Sequence, residues 1–185
     1  MTMNSKSPYV VAVCRHSKHQ FSKTSQDAIQ LVAGQGVVED AHYGYTVQHR
    51  SRIRIDPTQI NLRQVHLIEQ ALLIELNEQG FDVGAGSLGE NILTAGIDLR
   101  SLPTHTRLFI GTDVCLSITG LRNPCRQLDD YQTGLMAAVL SRDEAGGLVR
   151  KAGVMAIVMT GGTISPMASI RIQLPPPPYI ALDRV

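Results

Sequence analysis

The sequence predicts a mainly β fold, a barrel or sandwich with a few helices around it. Two observations predict it. The apolar segments are short and mostly rich in β-branched residues, and Gly, Pro, Asn or Asp punctuates nearly all of them. Many short strands separated by turn signals fit such a fold better than alternating strand–helix units. A chain of 185 residues matches the size of a single domain. The expectation is one β domain over residues 1–174 and a Pro-rich tail over 175–185.

The strand candidates, in order, are "YVVAVC" (9–14), "NILTAGI" (91–97), "RLFIG" (107–111), "VCLSITGL" (114–121), "GVMAIVM" (153–159) and "SIRIQL" (169–174). A long helix is expected over residues 61–80. Asn61 and Gln64 have capping-box spacing, Val65, Ile68, Leu72 and Leu76 recur at helical intervals, and Gly80 supplies a stop. A shorter helix is expected after Thr133, and residues 25–32 are expected to add another turn or two. The "PPPP" at 175–178 cannot pair in a sheet, so it predicts a stiff arm leaving the domain and lying on the surface.

Composition excludes several classes. The formal net charge is +1, so no global field recruits DNA or an anionic membrane, and aromatic residues at 4% are too scarce for base stacking. Neither nucleic acid nor a membrane is an expected partner. No apolar run approaches the roughly 18 residues of a spanning helix, and the apolar stretch before Arg15 is too short for a signal peptide. Three cysteines, odd in number and without C-x-x-C spacing, do not make a disulfide scaffold; they suit a reducing, cytoplasmic setting.

Four features bear on chemistry. Gly84, Gly86 and Gly89 in "GAGSLG" spell a dinucleotide fingerprint, but the context is inverted: a helix precedes and a strand follows. What remains is either a plain turn or a loop whose N–H groups, with Glu90 and Asn91 next to it, orient toward an anion. If residues 46–55 are extended, Arg50, Arg52 and Arg54 share one face, which suits either a small phosphate or a solvated edge strand. The six histidines show no zinc spacing, and Asp40 with His42 reads as a turn or as a substrate-facing pair. Cys125 lies between Arg122 and Arg126 where an apolar run breaks at Asn-Pro. Flanking cations favour a thiolate, which is a nucleophile and a soft-metal ligand, whereas an unpaired Cys is otherwise a buried hydrophobe.

These pieces resemble MOSC-domain proteins, a family named for the C-terminal domain of molybdenum cofactor sulfurases. The matching stretches are "FSK" (21–23), "GVVEDAHYG" (36–44), "VQHRSR" (47–52), "GSLGENILTAGIDL" (86–99), "TRLFIG" (106–111), "ITGLRNPCRQLD" (118–129), "RKAGVMAIVMTGGTISP" (150–166) and "IRIQLPPPP" (170–178). Their order and spacing together carry the resemblance, which covers almost the whole chain. It implies a MOSC-type β-barrel with a few peripheral helices and a site for a molybdenum–pterin cofactor, or for sulfur destined for it.

By the same resemblance Cys125 is the metal ligand and catalytic residue. The cofactor-facing set is Asp40, His42, His49, Arg50, Arg52, Arg54, Glu90, Asn91, Arg122 and Arg126. The implied activity is two-electron reduction of N-hydroxylated compounds, with a partner protein donating electrons. The alternative is a non-catalytic carrier of the cofactor, or of a Cys125 persulfide, for delivery to another enzyme. Pyridoxal phosphate is not expected, because the sulfurases carry it on a separate domain. Two departures stand out. The family usually has Gly where this chain has Glu39, and Pro-Gly-Asp where it has Pro166-Met167-Ala168. A missing turn Gly is expected to reroute the backbone there.

Overall fold

The computed structural model describes residues 7–185, without the side chains of Arg50 and Ser51. The strands are β1 (Tyr9–Arg15), β2 (Thr24–Gln26), β3 (Ile29–Val32), β4 (Gly36–Val37), β5 (Val65–Glu69), β6 (Ile92–Ala95), β7 (Arg107–Ile110), β8 (Val114–Leu121), β9 (Leu140–Arg142), β10 (Leu148–Arg150), β11 (Val154–Thr160), β12 (Gly162–Ile164) and β13 (Ile170–Gln173). Between them lie short helices, α1 (Arg50–Ile53), α2 (Gln70–Glu78), α3 (Gln127–Tyr131) and α4 (Leu135–Ala138).

The fold is mainly β, but the expected closed barrel is not found among the described residues, whose sheets are open. Eight strands form one open sheet in the order β13-β7-β8-β11-β5-β6-β1-β2, and β12-β3-β4 and β10-β9 form two smaller sheets. Within the large sheet only β5 and β6 run parallel. The segment before β13 meets the start of β1 at a bridge, Tyr9 to Ser169, with Val10 N–H donating to Ala168 and Met167 N–H donating to Val10.

The helix expected over 61–80 is a strand followed by a helix. Val65 to Ile68 are all fully buried, Val65 and Leu67 in one apolar cluster and Ile68 in another with Leu72, Leu73 and Leu76. A central strand buried on both faces loses its alternation, so its apolar run merged with the helical pattern of α2. Asn61 and Gln64 do not cap a helix. The Asn61 amide donates to the carbonyls of His42 and Gly44, and the Gln64 amide donates to Gly34 while its oxygen accepts from Val158.

Two further expectations are corrected. Residues 25–32 form β2 and β3 rather than helical turns. The helix after Thr133 is only α4, which gives way to β9. The Pro-rich segment is largely exposed and its end returns to the sheet, where Leu121 N–H donates to Asp183 and Val185 N–H donates back to Leu121. Gly120 makes room for this return: a Cβ there would lie 2.4 Å from the Asp183 carbonyl oxygen. No helix among the described residues is long and apolar enough to cross a membrane.

Candidate functional site

β8 ends at Leu121, and the chain then breaks through Asn123 and Pro124 before α3 begins. The break is fixed at both sides: Arg122 N–H donates to Gly153 at 3.0 Å, and Leu128 N–H donates to Cys125 at 3.0 Å. Pro124 supplies no donor and is buried. The result presents Arg122 and Cys125 to a cavity of about 560 Å³. Cys14 and Cys115 are buried, whereas Cys125 is partly exposed, with Sγ 3.5 Å from Oε1 of Gln127. Of the three thiols, the one the sequence singled out is the one on the cavity.

The cavity wall is cationic. Lys23, Arg52, Arg54, Arg63 and Arg122 line it, with His19, His42, His49 and His66, and none of its described lining residues is Asp or Glu. Arg122 carries the strongest signal. Its Nη1 is shut off from solvent and has no hydrogen-bond partner among the described residues. Its guanidinium carbon lies 5.6 Å from the centroid of the Phe21 ring, a cation–π contact that holds the group on the wall. Burial pulls Arg122 below its ordinary value, and the nearby Cys125 and Glu90 pull it back up. Arg63 is lowered to about 10, first by burial and then by repulsion from Arg52 and Arg122, with Cys125 again opposing. Such a cluster favours a negative charge on a ligand in the cavity. His49 is lowered to about 4 by burial and by Arg63, His42, Arg52 and His19.

Arg52 and Arg54 reach this wall by a route the sequence did not suggest. Residues 46–55 are not an extended strand. Arg52 and Ile53 N–H groups both donate to the His49 carbonyl, winding α1, so the three arginines do not share a strand face. The Arg50 side chain lies outside the described residues. Arg126 is also corrected: its side chain is 91% exposed, pairs with Asp130, and is not on the cavity, so Arg122 and Arg63 stand beside the thiol instead.

Glu90 does not line the cavity either. It is fully buried and accepts from the N–H groups of Gly86 (2.5 Å) and Leu88 (3.2 Å), so the Gly-rich loop wraps the protein's own carboxylate. Burial raises its carboxyl, against the pull of those hydrogen bonds and of Arg122. Asn91 touches the cavity, but its polar atoms are used as a brace. Its oxygen accepts from His66 N–H, and its amide donates to Cys14 and to Oδ2 of Asp40 at 3.1 Å. Asp40 sits behind the wall and holds Lys23 and His42.

Lys23, Arg63, Phe21, His66 and Met155 were not selected by sequence reasoning. Lys23 and Phe21 lay within the "FSK" stretch of the resemblance. Arg63 falls within the stretch expected to be a helix over residues 61–80.

Among the described residues, no group of three or more His, Cys, Asp or Glu side chains is arranged to hold a metal ion. A metal here would need most of its ligands from a group it arrives with, Cys125 adding one sulfur.

The MOSC domain family matches residues 41–171. The chain belongs to the MOSC family. Solved structures agree on the fold. The YuaD protein of Bacillus subtilis superposes with a TM-score of 0.73 at 20% identity, covering 92% of this chain and 97% of that one. YiiM of Geobacillus stearothermophilus gives 0.68 at 16% identity, covering 94% and 79%. YiiM of Escherichia coli gives 0.60 at 16% identity, covering 93% and 73%. No curated protein sequence matches.

Glu39 and Met167, at the two departures noted in the sequence, adopt φ of 58° and 70°, in the left-handed region that favours Gly. Neither residue lines the cavity.

Proposed function

We propose that this MOSC chain binds a molybdenum–pterin cofactor in the cationic cavity and uses it to reduce N-hydroxylated compounds, with Cys125 as the metal ligand. The single observation that carries the reading is the Arg122 donor, buried without a partner on a wall that holds a thiol and no carboxylate. Leaving such a donor unsatisfied costs about 1–3 kcal/mol. An anionic ligand removes that cost and turns a defect of the empty fold into a binding determinant. The residues present fit the group: a soft sulfur for a high-valent metal, and guanidinium groups for phosphate and oxo charge.

When bound, the cofactor supplies a metal that exchanges two electrons with a substrate. The chain supplies the setting. Arg122 and Arg63 stabilise negative charge beside Cys125, and Arg52 and Arg54 add anion-binding charge from the α1 segment. His66, fully buried and held by the Ala152 carbonyl at 2.8 Å, is pushed far below its ordinary value by burial and by Arg122, so it adds polarity to the wall without charge.

The test is to purify the wild type and Cys125→Ala from a host that makes the cofactor and to measure molybdenum and pterin per chain. Near-stoichiometric metal in the wild type, with loss on Cys125→Ala, is expected. No metal in either protein ends the reading. Turnover of an N-hydroxylated compound with an artificial reductant then separates enzyme from carrier, since a loaded but inert protein is a carrier.

A further inference from the structure

Beyond holding an anion, the cavity wall carries a group built to move a proton. His42 lines the cavity with Nδ1 3.3 Å from Oδ1 of Asp40. That carboxylate cannot turn. Oδ2 receives Lys23 Nζ at 2.8 Å, Asn91 Nδ2 at 3.1 Å and the His16 N–H at 3.3 Å, while Oδ1 receives the His42 N–H at 3.0 Å. A fixed anion at Nδ1 keeps the proton on that nitrogen and leaves Nε2 as the position that gains and loses one. The other groups facing the ring are His19, edge-on at 5.5 Å between centroids, and His49 at 6.5 Å, with Arg52 and Arg63 beyond His49. A ring needed only for packing has no use for a buried carboxylate held by four other donors.

We infer that His42 is the proton donor of the cavity and that Asp40 is its positioning residue. This rests on the reading above, because reduction of an N–O bond consumes protons. A hydroxylamine-type compound takes up two electrons and two protons to give the amine and water. The N–O bond breaks, and the leaving oxygen takes the Nε2 proton of His42 and departs as water. The electron pair, from two equivalents of a one-electron reductant such as reduced viologen, ends on nitrogen, which takes its proton from solvent. His42 is then reprotonated from solvent.

The experiment uses full-length chain purified from a cofactor-making host, as wild type, His42→Gln and Asp40→Asn, each assayed for molybdenum and pterin before kinetics with reduced viologen. His42→Gln is expected to keep its metal and pterin, lose about 100-fold in turnover, and lose the fall in rate on the alkaline side. Asp40→Asn is expected to keep its metal and pterin, to lower turnover, and to lose the fixed Nδ1 tautomer of the His42 ring, because the carboxylate that orients it is gone. A readout independent of turnover is nitrogen NMR of the metal-free wild type, where the neutral His42 ring is expected to carry its proton on Nδ1.

A neutral ring protonated on Nε2 overturns the assignment. So does a fully loaded His42→Gln protein with wild-type rate and pH profile. Loss of metal in His42→Gln makes the residue a binding group, which overturns the proton-donor role while the functional reading stands. A wild type without molybdenum or pterin sinks the functional reading, and this inference with it.

Discussion

Lys23 and Asp40 form an ion pair of 2.8 Å whose side chains are only 4% and 0% exposed. Burial alone would raise the Asp40 carboxyl, but the hydrogen bond from His42 and the Lys23 charge outweigh it and hold the group well below the usual carboxylate range. Burial lowers Lys23, against the pull of Asp40. Removing one member strands the other: Lys23→Met is expected to destabilise the fold by about 3–5 kcal/mol. Lys23→Met with Asp40→Asn should cost less than the two single changes summed. Urea titrations of the four proteins check this. Because the folded value of Asp40 lies below the ordinary 3.8, its contribution is complete above that pH and is lost as pH falls below it.

His49 acts in the same direction, but nearer neutrality. Its folded value, about 4, lies below the ordinary 6.5, so the unfolded chain binds a proton that the folded one refuses. Stability is expected to fall as pH drops from 6.5 toward 4, and His49→Asn should flatten that limb. Melting curves across this range decide it.

Arg122→Met separates stability from binding. It removes a buried donor without a partner, which costs about 1–3 kcal/mol, and a cation–π contact worth roughly 0.5–1 kcal/mol. The ligand-free variant is therefore expected to be about 1 kcal/mol more stable, the difference of those terms. Pyrophosphate at a hundred times its Kd for the wild type should stabilise the wild type by about 2.7 kcal/mol and the variant by less. Calorimetric scans with and without pyrophosphate measure both effects.

Cys125 should alkylate well before the other thiols at neutral pH. Cys14 is buried and pushed up to about 11 by that burial, and Cys115 is buried and raised for the same reason. Mass spectrometry of the folded protein after brief iodoacetamide treatment identifies the first site. Equal labelling of all three would remove access as an argument for Cys125.

Met167→Gly should stabilise the fold by about 1 kcal/mol, since a side chain in the left-handed region is strained and Gly is not. Gly86→Ala should do the reverse and do so severely. Its φ is +83°, and a Cβ would stand 2.2 Å from the Lys23 carbonyl oxygen, breaking the loop that clasps Glu90. Thermal melts rank the two.

The strands around the thiol were legible because each is a short apolar run closed by a turn residue, and β8 with its Asn-Pro break pointed straight at Cys125. β5 was not legible, because Val65 to Ile68 lie buried on both sides and run into α2 without a break. The cationic wall was half legible. Arg122 adjoins Cys125 in sequence, but Arg63 and Lys23 arrive from segments whose single charges mean nothing until the fold gathers them. The alternation of Arg50, Arg52 and Arg54 suggested a strand, and two hydrogen bonds to the His49 carbonyl made it a helical turn.

Two parts of the cavity wall differ in kind. One comes from the large sheet and the break that follows it, through His66 on β5, Met155 on β11, and Arg122 and Cys125 after β8; the other comes from the excursion over residues 45–63 between β4 and β5, through His49, Arg52, Arg54 and Arg63. The first cannot change without disturbing packed strands, whereas the second can be exchanged as a cassette. Grafting that excursion from another MOSC protein should therefore transplant ligand preference while leaving the thiol and its strand in place, which makes this segment the place to engineer a new clientele.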